Sequence, residues 1–124
     1  MKYLQRITLA MLLAFTAIQV LAAPVIQTIA VPTTAANVYA LLPGGSQLAY
    51  REIVIQNNDA TYNVWIGSSS GITASPTGNA VKLKPGGGNW VIRANTNSLQ
   101  ARSYWIIGDQ PSGTINATFA GEYQ

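Results

Sequence analysis

No cysteine and no histidine occur among the 124 residues, and charged side chains make up only 9% of the chain. The missing thiol excludes disulfide stapling, thiol redox chemistry and a cysteine nucleophile. The missing imidazole removes the commonest general base near neutral pH, and with both gone the usual ligands of a zinc site are gone too. A Ser-His-Asp triad cannot be assembled. Stability must therefore come from a core, and the 48% apolar composition supplies the material for one domain.

Charge is scarce and unevenly placed. Lys2 and Arg6 precede an apolar run over 7–21 that is interrupted only by Thr8, Thr16 and Gln19. Val20 and Ala22 put small residues at the −3 and −1 positions of a cleavage site, the three-part pattern of a secretory signal peptide. The apolar run falls short of the roughly 20 residues that span a bilayer as a helix. Residues 1–22 therefore read as a signal peptide, or as a hydrophobic helical anchor if they are retained, and 23–124 as the folded domain. Export to the periplasm, the exterior or the cell surface is the expected localisation, with membrane contact only if the N-terminal helix stays. Beyond the leader, Arg51, Lys82, Lys84, Arg93 and Arg102 stand against Glu52, Asp59, Asp109 and Glu122, a net charge of +1. Nucleic acid is not an expected partner, because the basic patch that phosphate backbones require is missing.

From Pro24 onward no window carries a helical apolar period. Short runs rich in Val, Ile, Thr, Tyr and Trp alternate instead with Gly, Pro, Asn and Ser clusters, which predicts an all-β fold. Strands are expected over 25–31, 37–42, 47–56, 61–67, 80–84, 89–94, 101–108 and 114–120. Eight short antiparallel strands fit a single β-sandwich of jelly-roll or Greek-key type. Pro43-Gly44-Gly45 and Pro85-Gly86-Gly87-Gly88 combine a preset φ with glycines that accept positive φ, so both are expected turns. Asn57-Asn58-Asp59 is a third, on side chains that tolerate the left-handed region. Residues 68–78 form one long loop.

Alternation assigns faces. Tyr62, Val64 and Ile66 share one face, opposite Thr61, Asn63 and Trp65; Val81 and Leu83 oppose Lys82 and Lys84; Ile115, Ala117 and Phe119 oppose Asn116 and Thr118. The apolar faces are expected in the core, with Trp90.

Catalytic candidates are few. A glycosidase needs two carboxylates facing each other across a cleft, whereas Glu52 lies mid-strand, Asp59 and Asp109 lie in turn-like sequence, and Glu122 lies near the end of the chain. A Ser-Lys pair from Ser68 to Ser70 with Lys82 or Lys84 would need a desolvated lysine, and both lysines alternate outward. No catalytic residue, metal site or cofactor is expected. Calcium loops need several closely spaced acidic oxygens, and Asn57-Asn58-Asp59 offers one carboxylate.

Trp65, beside Asn63 on the polar face and next to Tyr62, is the one candidate binding site. Three readings stay open for it: a strand covered on both faces, a protein interface, or an aromatic platform for a sugar.

The order Arg51-Glu52-Ile53-Val54-Ile55-Gln56-Asn57, Tyr62-Asn63-Val64-Trp65-Ile66-Gly67, Gly71-Ile72-Thr73, Gly78 to Gly87 and Tyr104-Trp105-Ile106-Ile107 resembles small β-sandwich structural proteins of bacteriophages, over about 51–119. The resemblance implies a non-catalytic virion component, such as a capsid decoration or spike module, that forms homo-oligomers. Typical decoration proteins carry no leader, so the segment 1–22 departs from that pattern. The expected function is thus a non-enzymatic structural or interaction protein, virion-associated or exported, that assembles with itself or with a larger protein lattice. The alternative is a secreted carbohydrate-binding module acting through exposed Trp and Tyr.

Cleavage after Ala22 is the first testable outcome. Intact-mass measurement on the chain from its native source is expected to find Ala23 at the N-terminus, and a mature species that retains Met1 to Leu21 overturns this.

Overall fold

A computed structural model describes residues 24–42, 49–95 and 98–123. The leader and the turn expected at Pro43-Gly44-Gly45 lie outside the described residues. The all-β expectation is met by eight strands: β1 (Val25–Pro32), β2 (Ala36–Asn37), β3 (Tyr50–Asn57), β4 (Val64–Gly67), β5 (Val81–Leu83), β6 (Asn89–Arg93), β7 (Trp105–Gly108) and β8 (Thr114–Tyr123). They form two four-stranded sheets, β1-β8-β3-β6 and β2-β7-β4-β5, antiparallel throughout. The pairing follows one rule. β1 pairs with β8, β2 with β7, β3 with β6 and β4 with β5, so the second half of the chain retraces the first in reverse, with successive pairs falling on alternate sheets.

One cluster of buried side chains draws on both sheets. Ile29, Val31, Ile53, Ile55, Ile115, Ala117 and Phe119 come from the first sheet, and Val64, Ile66, Leu83 and Ile106 from the second. Period-two alternation produces this inward face in each strand. Tyr50 fills one end of the cluster, edge-on to Phe119 at 5.5 Å and stacked on Tyr123 at 5.4 Å. Trp90 is half-buried against the same cluster and meets Tyr104 edge-on at 5.0 Å. Val81, expected in the core, is exposed because β5 is the outer strand of its sheet.

Three of the strands are shorter than expected, two of them where a side chain caps a turn. Over 37–42 extension stops after Asn37, whose Oδ1 accepts from the backbone N–H of Tyr39 at 3.1 Å and caps a single helical turn, α1 (Val38–Leu41). Over 101–108 the chain begins with a 3-10 turn at Ala101–Ser103, and Asn37 Nδ2 ties into it by donating to the Arg102 carbonyl at 2.7 Å. Over 61–67 the strand starts only at Val64. Asp59 Oδ1 accepts from the N–H groups of Thr61 and Tyr62, both at 2.7 Å, and this turn holds Tyr62 out of the ladder.

The glycine turn after β5 forms as expected, with φ of 72° at Gly86 and 106° at Gly87. No other residue type has positive φ among the described residues, so Asn57, Asn58 and Asp59 turn the chain through side-chain hydrogen bonds and not through left-handed backbone. Asn57 is the centre of that arrangement and is 0% exposed. Its backbone N–H donates to the Gly88 carbonyl at 2.8 Å, and its carbonyl accepts from Gly87 at 2.9 Å. Its Nδ2 donates to the carbonyls of Tyr62 at 2.9 Å and Leu83 at 3.1 Å, while its Oδ1 accepts from the N–H of Asp59 at 3.0 Å. A residue at the end of β3 thereby binds the start of β4 and the end of β5, which belong to the other sheet.

Asn57→Ala leaves the buried Leu83 carbonyl, the part-buried Tyr62 carbonyl and the N–H of Asp59 without this partner. It should cost about 3 kcal/mol, from roughly 1 kcal/mol for each lost satisfaction, read as a lower urea midpoint at unchanged slope. An unchanged midpoint would show that the sheets are held without it.

Candidate functional site

Trp65, Asn63 and Tyr62 diverge in the folded chain. Trp65 projects from β4 on the side away from the shared core, as alternation requires, yet it is only 3% exposed. The loop between β4 and β5 folds back over it, so that Trp65, Ile72 and Ile107 make a second buried cluster bordered by Ala35, Ala74, Ala80 and Trp105. Presentation of the ring at the surface, one of the expectations from sequence, is thus corrected: the loop covers it. Ile72 supplies the apolar side chain that makes folding back favourable, because exposed on a polar loop it would lose the burial worth of the order of 2 kcal/mol.

The geometry of this cover is specific. A Cβ on Gly67 would stand 2.6 Å from Ile72 Cγ2 and 2.7 Å from the Asn79 carbonyl oxygen, so only glycine lets the loop close on the strand. Within the loop, Ile72 donates to the Ser69 carbonyl at 3.3 Å, Ser75 to that of Thr73 at 2.8 Å, and Gly78 to that of Ser75 at 3.0 Å. Lys82, opposite Trp65 in register, sets its Nζ 5.4 Å from the indole centroid. This is a cation–π contact on the rim of the cluster. The indole Nε1 is buried without a hydrogen-bond partner.

Asn63 is committed elsewhere. Its backbone N–H donates to Asp109 Oδ1 at 2.7 Å and its Nδ2 to Asp109 Oδ2 at 2.6 Å, while the Asp109 N–H donates to the Asn63 carbonyl at 3.1 Å. This clamp joins the segment before β4 to the residue after β7. Tyr62 is the exposed member, at 37%, and its backbone serves the turn: the N–H goes to Asp59 and the carbonyl to Asn57. The Asp59 carboxyl is held below its ordinary value by the N–H of Tyr62 first and of Thr61 second.

The remaining carboxylates are paired at the surface. Glu122 Oε1 accepts from Arg51 at 2.7 Å, and Glu52 pairs with Arg93 across β3 and β6. Sequence reasoning placed Asn57 and Asp109 in turns and did not assign their partners, of which Leu83 lies in the other sheet from Asn57 and Asn63 lies 46 positions from Asp109. The signal for the covering loop was Ile72, an isolated large apolar residue among Ser, Gly and Thr.

No protein-family model matches the chain, and neither the curated proteins nor the solved structures provide a match to it.

Trp65→Ala should cost about 3 kcal/mol, as for a large aromatic truncated in a buried cluster. Limited proteolysis is expected to cut within 68–80 before the rest of the chain, since the loop loses the surface it rests on. Tyr62→Ala should stay within about 0.5 kcal/mol of the parent. Equal effects of the two substitutions would contradict the different environments described.

Proposed function

We propose that this chain is a non-enzymatic structural or interaction module, virion-associated or exported, that acts by assembling with itself or with a larger protein lattice. Its two sheets are read as one jelly-roll β-sandwich. The support is the strand order: a four-strand ribbon doubled back on itself and wrapped gives 1-8-3-6 and 2-7-4-5, with the core between the layers. Such a fold hosts capsid and lectin domains alike, so it does not decide between them.

The observation that carries the reading is the employment of the carboxylates. Asp59 caps a turn, Asp109 clamps Asn63, and Glu52 and Glu122 each hold an arginine at the surface. A carboxyl group acts as a general acid near neutral pH where its environment raises its pKa, through burial or a like charge. Asp59 is shifted the other way. The burial of Trp65 also weighs against the sugar-platform alternative, which would be left with Tyr62 alone.

The test is functional replacement. Asp59→Asn and Asp109→Asn, each made singly, should leave particle incorporation or surface assembly intact wherever circular dichroism shows a folded chain. A folded, normally assembled variant that loses its biological role would overturn the non-catalytic reading. Glycan-array binding that depends on Tyr62 would support the carbohydrate-binding alternative in its place.

A further inference from the structure

The two sheets differ in what lies over their outer faces. The loop 68–80 and Trp105 cover the β2-β7-β4-β5 sheet around Trp65. On the β1-β8-β3-β6 sheet the outward residues line up across the strands in three rows. Ile26, Ala120, Val54 and Val91 are successive register partners and form an apolar row across all four strands. Ile26 is 68% exposed and Val91 43%, while Ala120 and Val54 between them are half-buried. On one side lies an uncharged polar row, Thr28, Thr118, Gln56 and Asn89. On the other, Glu122, Glu52 and Arg93 lie in register, and Arg51 joins the row through Glu122.

Resting on the structural-module reading, we infer that this face is the surface on which a second copy of the chain docks, face to face, about a two-fold axis parallel to the strands between β8 and β3.

Three observations select a second copy as the occupant. First, the charges of the face cancel within it: Arg51 is paired with Glu122 and Arg93 with Glu52. An acidic or basic partner would find no net field to match, whereas the stated axis sets Glu122 opposite Glu52 of the second copy with each carboxylate already paired to its own arginine, so ion pair meets ion pair. Second, the apolar row is self-complementary under that axis. Reversal sets Ile26 against Val91 of the second copy and Ala120 against Val54, a larger side chain facing a smaller one at each position. An axis along the row would instead oppose Ile26 to Ile26 and Ala120 to Ala120, one place crowded and one empty, which close packing disfavours. Third, the area suffices. Four strands at about 4.8 Å spacing and eight residues at about 3.3 Å give roughly 500 Å² per copy in projection. The two copies together reach about 1,000 Å², the lower bound for a specific interface.

The experiment uses Ile26→Glu and Val91→Lys in the full-length gene product as it matures. Size-exclusion chromatography with light scattering is run across micromolar concentrations, with thermal unfolding on each sample. The wild type should be a dimer. Each variant alone should be a monomer with an unfolding midpoint like that of an exposed-site substitution, within a few degrees of the dissociated parent. Mixing the two variants should restore a 1:1 heterodimer, because Glu at 26 of one copy then faces Lys at 91 of the other while the second Ile26–Val91 contact stays native. A monomeric wild type overturns the inference, and so does a dimer that survives both substitutions. Monomeric variants that fail to pair on mixing overturn the stated axis. Asp59 and Asp109 lie off this face and their replacements test the structural-module reading separately, so a chain that stays monomeric but binds another protein would refute this face and leave that reading standing.

Discussion

Two sheets that share a core still need ties at their ends, because backbone ladders run within a sheet and do not hold one sheet to another. Asn57 provides the tie. An asparagine side chain carries both donors and an acceptor, and here Nδ2 reaches two carbonyls while Oδ1 takes an N–H, so a fully buried amide is satisfied. The Pro85 to Gly88 turn returns to the same residue through its backbone. That turn leads from β5 in one sheet to β6 in the other, and Asn57 therefore fixes the crossover as well as the spacing of the layers. Asp59 and Asp109 extend the arrangement outward, one by turning the chain into Tyr62 and one by gripping Asn63. Polar side chains at this end of the molecule serve as architecture.

The covering of Trp65 gives the molecule two unlike exteriors. One sheet carries a loop, closed by Ile72 and permitted by Gly67, over its outward indole. The other presents strand surface in ordered rows. Burial of an apolar loop residue against an outward tryptophan covers the middle of that sheet, and of the large apolar residues left exposed among the described residues Ile26 and Val91 lie on the opposite sheet, Val81 on the outer strand β5 and Tyr62 in the turn before β4.

Much of the strand pattern was legible in sequence, because period-two alternation and glycine turns are local signals. β1, β3, β6 and β8 start or end within a few residues of their expected bounds wherever they are described. The departures share a cause. Asn37 caps a helical turn and Asp59 caps a chain reversal, and each side chain offers the backbone an alternative to extension that apolar periodicity cannot register. The candidate site was legible by half. Alternation correctly turned Trp65 away from Val64 and Ile66, yet periodicity within a strand says which way a residue points and nothing about what lies above it. The Asn63–Asp109 clamp spans 46 positions in the chain and the rows on the first sheet depend on four strands in register, so neither could be read before the pairing was known.

The distribution of unsatisfied polarity bears on how such a molecule can act. Among the described residues the buried side-chain atoms without a partner are Gln27 Oε1, Trp65 Nε1 and Gln110 Oε1, none of which titrates. Sites that perform acid-base chemistry hold ionisable groups in unfavourable surroundings and use that tension in the reaction. Here the carboxylates are capped by backbone N–H groups or paired with arginine near water, which supports the proposed non-catalytic reading. Exposed pairs of this kind stabilise a fold by about 1 kcal/mol or less, so their value on the proposed docking face lies elsewhere. They cancel its charge, and under the proposed docking they would leave shape and apolar area to choose the partner. On the proposed reading, a surface built in this way would discriminate by fit, which is the property a repeating assembly requires of each of its copies.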